Sequence, residues 1–311
     1  MSPASKNKTE GCWPLARKQP TLWNRARILQ SIRDFFTSRG FLEVETPQRI
    51  PSNAPEAYIV PLASGAWCLQ TSPELCMKRL LAAGYPKLFQ ICHCFRQEER
   101  GNRHLPEFTL LEWYEAGADY RRQMRDCEDL LAALLPDLEL TWRGRRINLM
   151  PPWERLSVAD AFDSYASCSL EEALEEGRFD AIMGVEIEPR LGMLRPTLLY
   201  DYPAEKAALA RRKASDPRFA ERFELYILGM ELANGFSELT DSQEQRRRFE
   251  DEERLRRSDG QTPYPLPEKF LEELAAMPNA AGIALGIDRL IMLLTDSSSI
   301  DDVVAFPPEL L

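Results

Sequence analysis

Between Leu22 and Phe36 apolar side chains recur at helical spacing (Leu22, Ala26, Leu29, Ile32, Phe36), and Gly40 stands where it would end that helix. FLEVETP (Phe41 to Pro47) then reads as a strand stopped by proline. The spacing predicts a second helix from Ser72, with Pro73 at its first position and Gly84 just past its end. KLFQICHCF (Lys87 to Phe95) and FTLLEWY (Phe108 to Tyr114) are rich in β-formers and predict a strand, a charged loop and a return strand.

Residues 121 to 196 mix short helical patterns and read as a helical insertion beside the sheet. TLLYDYP (Thr197 to Pro203) predicts a strand, and RFELYILGMEL a hairpin turning near Leu228 and Gly229. A charged helix follows from about Asp241 to Ser258, its charges read as a solvated face. AGIALG then leads into a helix with a buried stripe of Ile287, Leu290, Ile291 and Leu294. Strands adjacent in sequence, with helices between groups of them, predict an α+β fold with a largely antiparallel sheet. The first twenty residues read as a disordered lead to one domain spanning 21 to 311.

Charge narrows the function classes. A net charge of −10 disfavours broad binding to a phosphate backbone, which is built from many lysine and arginine contacts. No apolar run approaches the roughly 20 residues of a membrane span, and the polar start lacks the features of a signal peptide, so the expected compartment is the cytoplasm. Seven cysteines, an odd number without paired spacing, fit reduced thiols there. Cys92, His93 and Cys94 alternate faces on a strand and have no second cluster to complete a zinc site; His93 reads as a core residue.

The residues that could do chemistry are mostly charged. Glu224 and Glu231 would face one another across the hairpin, either as solvated glutamates or as a pair holding magnesium. Asn234, Phe236 and Glu238 alternate onto one strand face; Glu231 joins them only if the strand bulges, for which Gly235 is the candidate. In GIDR, Arg289 sits in the first turn of a helix, placed for a structural salt bridge or for a phosphate. Ser72, Pro73 and Glu74 have an equally simple reading as a capped helix start. Only His104 is left for acid–base work. Arginines with paired carboxylates suit charge stabilisation in nucleotidyl transfer better than covalent catalysis.

Taken together, EVETP, FRQEE through HLPEFTLLEWY, ELANGFSEL and GIDR resemble, in order, the motifs of the class II aminoacyl-tRNA synthetases of the lysyl type. Only about twenty residues precede the resembling region, where lysyl-tRNA synthetases carry an anticodon-binding barrel. That layout resembles the elongation factor P lysine ligases, which join a lysine or β-lysine to a lysine side chain of that translation factor. The resemblance implies a class II synthetase-like antiparallel sheet flanked by helices, ATP as substrate, Mg2+, elongation factor P as acceptor, a homodimer, and no stable tRNA complex.

Site roles follow by the same resemblance. Arg96 would hold the α-phosphate and the substrate carboxylate, Glu98 the adenine amino group, Phe108 the adenine ring, and Arg289 the γ-phosphate. Gln97, His104, Leu105, Glu231, Leu232 and Gly286 would complete the ATP site, and Glu224 and Glu231 would bind magnesium. Glu74, with Ser72 and Pro73, would receive one substrate ammonium, Asn234 the carboxylate, and Glu112, Tyr114 and Glu238 the distal ammonium. The family's second motif usually carries asparagines where this chain has Gln97 and Leu105. Leu105 removes an amide expected near the nucleotide.

Overall fold

The computed structural model of the chain describes residues 13–311. The expected disordered lead is cut short: residues 1–12 lie outside the described residues, Trp13–Arg17 is a helical turn, and α1 (Gln19–Ser38) already begins at Gln19. Pro20 in its first turn needs no backbone donor there, and Gly40, at φ +77, turns the chain after its end.

Eight strands form the main sheet: β1 (Leu42–Glu43), β2 (Lys87–Phe95), β3 (Glu107–Ala116), β4 (Glu154–Ser157), β5 (Thr197–Pro203), β6 (Phe219–Ile227), β7 (Met230–Ser237) and β8 (Ala280–Gly286). Their spatial order is β1-β2-β3-β8-β7-β6-β5-β4. The five central pairings are antiparallel, and only the edge strands β1 and β4 pair in parallel. This is the α+β, largely antiparallel architecture that the pattern predicts. The strand expected over Phe41–Pro47 pairs only at Leu42–Glu43.

The expected helical insertion is corrected. Residues 121–196 hold most of α3 (Tyr120–Leu134) and several shorter helices, but also a separate hairpin (Glu139–Trp142 with Arg145–Asn148) and β4, which extends the main sheet. Ser157 and Ser169 cap helices there, and those polar starts are what made the segment read as helical throughout.

Alternation along the strands separates a dry face from a chemical one. Phe89, Leu111, Trp113, Phe223, Leu225, Ile283 and Leu285 pack against α1, α3 and α5 (Ile287–Leu294), with Phe36 stacked on Phe89 at 5.0 Å. Their neighbours in sequence, Glu112, Tyr114, Glu224 and Gly282, face a cavity on the other side. That side is covered by α2 (Glu74–Ala82), α4 (Ser242–Ser258) and the loop 51–62. No described helix is long and apolar enough to cross a membrane.

The charged helix is not only a solvated face. Gln245, Phe249, Glu253 and Arg256 make a buried stripe on α4. From it Arg256, 2% exposed, donates to the Glu56 and Ile59 carbonyls at 3.0 and 2.9 Å, while Glu252 accepts from the Ala57 N–H at 2.8 Å. The helix thereby holds one wall of the cavity.

Candidate active site

The cavity measures ≈ 650 Å³ and gathers fourteen of the eighteen residues singled out above: Ser72, Glu74, Arg96, His104, Leu105, Phe108, Glu112, Tyr114, Glu224, Glu231, Leu232, Asn234, Gly286 and Arg289. Pro73, Gln97, Glu98 and Glu238 are not among its lining. Pro73 caps α2. Gln97 and Glu98 are exposed in the loop after β2, where Gln97 donates its N–H to the Val60 carbonyl at 2.8 Å. Glu238 is wholly buried beneath the floor.

The strand register explains the convergence and corrects two expectations. Glu224 stands opposite Asn234, not Glu231, whose partner is Tyr226. The bulge falls at Leu232, the extra residue between the Tyr226–Glu231 and Leu225–Ala233 pairs, rather than at Gly235. One inserted residue flips the parity, so Glu231 joins Glu224 and Asn234 at the cavity. Gly235 answers a different need, since a Cβ there would lie 2.7 Å from the Phe223 ring.

At one end of the cavity lies a cup of carboxylates. The Ser72 hydroxyl donates to Glu112 Oε1 at 2.6 Å and accepts from the Glu74 N–H at 3.0 Å, and the Tyr114 hydroxyl donates to Glu112 Oε2 at 2.8 Å. Beneath them Lys78, 1% exposed, sits with Nζ 2.5 Å from Glu74 Oε1 and 2.5 Å from Glu238 Oε2, and 5.0 Å from the Phe236 ring centre. Burial, with Glu74 nearby, pushes the Glu112 carboxyl up to about 8, and burial with Glu74 and Glu112 raises Glu238 against the pull of Lys78. On loop 51–62, burial raises Glu56 to about 7 against the pull of Arg96.

At the other end are arginines. Arg96 lies 5.0 Å over the Phe108 ring and reaches Glu99 at 3.2 Å. Arg289 donates to the Glu231 and Arg103 carbonyls at 2.9 and 3.2 Å and meets His104 Nε2. Desolvation and Arg289 hold His104 below the usual histidine range. Leu105 lines the cavity while packing into the core, so apolar surface stands where the family's amide would be. The adjacent Asp288 is structural: it accepts from Arg25 at 2.6 Å and from the Thr109 N–H at 2.7 Å.

Between the two ends, Glu224 is held from three sides, by Tyr202 at 2.5 Å, Tyr226 at 2.6 Å and Arg222 at 2.5 Å, and Arg222 also donates to Asn234 Oδ1 at 3.2 Å. Burial, then Glu224 and Glu231, pushes Glu188 up to about 7, and burial with Glu224 raises Glu231. Among the described residues no group of three or more histidine, cysteine or acidic side chains has the geometry to hold a metal.

Several of these participants are missed by the sequence pattern. Lys78 had a signal, a lysine four residues after Glu74 on an otherwise apolar helix face. Arg222 shares its strand face with Glu224. Glu56 lies in a loop and Glu188 opens a single 3-10 turn, so no periodicity marks either. His93, read as core, is exposed and pairs with Glu107 at 2.8 Å; the buried partners on that strand are Cys92 and Cys94.

Comparison with known proteins bears on this geometry. The profile of the class II tRNA synthetases (D, K and N) matches residues 15–309. A protein of Mannheimia succiniciproducens named elongation factor P--(R)-beta-lysine ligase is 41% identical, across 94% of this chain and 97% of its own length. Its namesake in Haemophilus ducreyi is 40% identical across 99% of both, and that of Salmonella dublin 39% across 94% and 97%. A cup of carboxylates beside a cluster of arginines on a class II sheet thus has near-full-length relatives, and the chain belongs to the class II tRNA synthetase family (D, K and N), alongside the elongation factor P--(R)-beta-lysine ligases.

Proposed function

We propose that this chain is an ATP-dependent, AMP-forming ligase that activates lysine, with (R)-β-lysine favoured, and transfers it to a lysine side chain of elongation factor P in the cytoplasm. The observation that carries the reading is the pairing of the two cavity ends. Three carboxylates (Glu74, Glu112, Glu238) around one buried lysine suit an amino acid with two amines, and Arg96, Phe108 and Arg289 suit a nucleoside triphosphate. The names of the near-full-length relatives support the acceptor and the β-lysine preference.

The chemistry has two steps. The substrate carboxylate attacks the α-phosphorus, and pyrophosphate leaves. The acceptor's lysine ammonium gives one proton to solvent, the neutral amine attacks the carbonyl carbon of the adenylate, and AMP leaves with the bonding electrons of the mixed anhydride as the nitrogen loses its second proton to solvent. Arg96 balances charge on the α-phosphate and the carboxylate, Arg289 on the γ-phosphate, and Phe108 stacks on adenine, so rate comes from positioning and charge. With its oxygen accepting from Arg222, Asn234 would donate to the substrate carboxylate through its amide nitrogen. Exposed Gln97 and Glu98 reach the base only if their loop folds inward on binding.

The donor set suits magnesium. Glu224 and Glu231 raise the proton affinity of Glu188, and Glu224 raises that of Glu231, a repulsion among oxygen donors that a hard cation would relieve. Glu224 and Glu231 would hold the ion, which when bound would neutralise phosphate charge. Arg222 already offsets part of the charge on Glu224.

Intact-mass spectrometry tests the reading. Elongation factor P incubated with the protein, ATP and (R)-β-lysine should gain one lysyl mass on one lysine, faster than with α-lysine. With tRNA competing in the same mixture, label moving mainly to tRNA would overturn the choice of acceptor, and an excess of acidic residues in the chain speaks against that outcome.

A further inference from the structure

We infer that Lys78 is a positioning residue that sets the charge of the amino-acid cup, so that the cup accepts only a substrate carrying two ammonium groups. This rests on the ligase reading above. Lys78 projects from α2 into the space between that helix and the end of β7, and its ammonium bridges Glu74 and Glu238, 2.5 Å from each. Glu238 Oε1 has no hydrogen-bond partner, and it lies against Gly282. Neither Glu238 oxygen makes a hydrogen bond, and the ammonium of Lys78, 2.5 Å from Oε2, is the cation that offsets this buried carboxylate under the cup.

Charge counting gives the role. Three carboxylates against one captive ammonium leave two negative charges, the complement of two amines. That charge is too costly to hold in an empty buried site, whose raised carboxyls keep protons until the ligand arrives, and an unpaired charge left after binding is equally costly. A monoamine would leave one carboxylate uncompensated, so Lys78 makes the cup discriminate by charge number as well as by shape. The groups facing Lys78 are Glu74 on its own helix, Glu238 and the Phe236 ring from β7 and its end, and Glu112 and Tyr114 from β3, with Glu74 in turn bearing on Glu56 in loop 51–62. Every titratable member of that set other than Lys78 is an acid, so removing Lys78 raises the proton affinity of the whole cup.

The test is amino-acid-dependent ATP–pyrophosphate exchange with Lys78→Met, and with Lys78→Gln should the first variant not fold. The KM for (R)-β-lysine should rise by about a hundredfold, as expected for breaking a buried pair, while the KM for ATP stays within about threefold. The pH at which kcat/KM for the amino acid is half-maximal should move upward. Lys78→Ala should recover part of the loss in millimolar ethylammonium and none in ethanol. A variant that keeps the wild-type KM and pH profile, or a folded Lys78→Ala indifferent to ethylammonium, overturns the inference. If the wild-type protein exchanges pyrophosphate with no diamino acid, the ligase reading fails and takes this one with it.

Discussion

Gly282→Ala probes the floor of the cup with a single methyl group. Gly282 stands opposite Tyr114 in the β3–β8 register, and a Cβ built on it would lie 2.2 and 2.4 Å from two Tyr114 ring carbons and 2.6 Å from Glu238 Oε1. Carbon atoms rest about 3.5–4.0 Å apart, so the ring must retreat by more than about 1 Å. It has little room, because Tyr114 is 3% exposed and its hydroxyl is tied to Glu112. Overpacking of this kind costs about 1–3 kcal/mol, a fall in Tm of roughly 2–5 °C for a chain of this size. The catalytic effect should be larger in proportion, since a misplacement of about 1 Å in a positioning group costs on the order of a hundredfold. Exchange assays should show the loss in kcat/KM for the diamino acid, with the KM for ATP little changed. Wild-type Tm and wild-type kinetics together would refute the claim that this glycine makes room for Tyr114 and Glu238.

Arg256→Met should loosen the loop that carries Glu56: the buried guanidinium loses its bonds to the Glu56 and Ile59 carbonyls, and removal should cost about 2–4 kcal/mol, read by denaturant unfolding, with proteolysis appearing first at residues 54–64. Diamino-acid affinity measured by calorimetry should rise between pH 6 and 8, with protons released on binding, because Glu112, held up to about 8, and Glu238, also raised, must ionise to meet the two ammoniums; a flat profile would count against the cup. The same raised carboxyls stabilise the empty fold fully below their unfolded value of about 4.5 and lose that contribution as pH rises through about 8, so the ligand-free Tm should fall over this window while the shift produced by a diamino acid grows. Chelation with EDTA should abolish exchange and added Mg2+ restore it; exchange that survives chelation would remove Glu224 and Glu231 from metal binding. Sedimentation should give a dimer at micromolar concentration, a monomer with full activity being the contrary result.

Much of this architecture is legible in the sequence because its signals are local. Alternation in FTLLEWY separates Leu111 and Trp113, which enter the core, from Glu112 and Tyr114, which enter the site. Proline at the start of α2 and Gly84 after it, at φ +94, mark that helix in the same way. Illegible features depend on tertiary context. Seen as sequence, α4 is a run of charges, and only the packed loop shows that Arg256 is buried to hold backbone carbonyls. β4 is too short to be told from the helices around it, and becomes a strand because β5 offers an edge.

The misplaced bulge shows how a small local ambiguity controls chemistry. Strict alternation sends Glu231 away from Asn234, and glycine is the residue most often blamed for a break in alternation. Here the extra residue is Leu232, which the core below the sheet accommodates at 2% exposure. Burial of a leucine is worth roughly 1.5–3 kcal/mol, enough to favour the bulge where the leucine side chain finds a dry home rather than at the most permissive backbone. Gly235 is then left for the close approach of Phe223. The consequence is functional: only with the bulge at Leu232 do Glu224, Glu231 and Asn234 share the cavity that Arg289 enters from α5. Deleting Leu232 would return the strand to simple alternation and separate the acids, while leaving Glu224, Glu231 and Asn234 themselves in place.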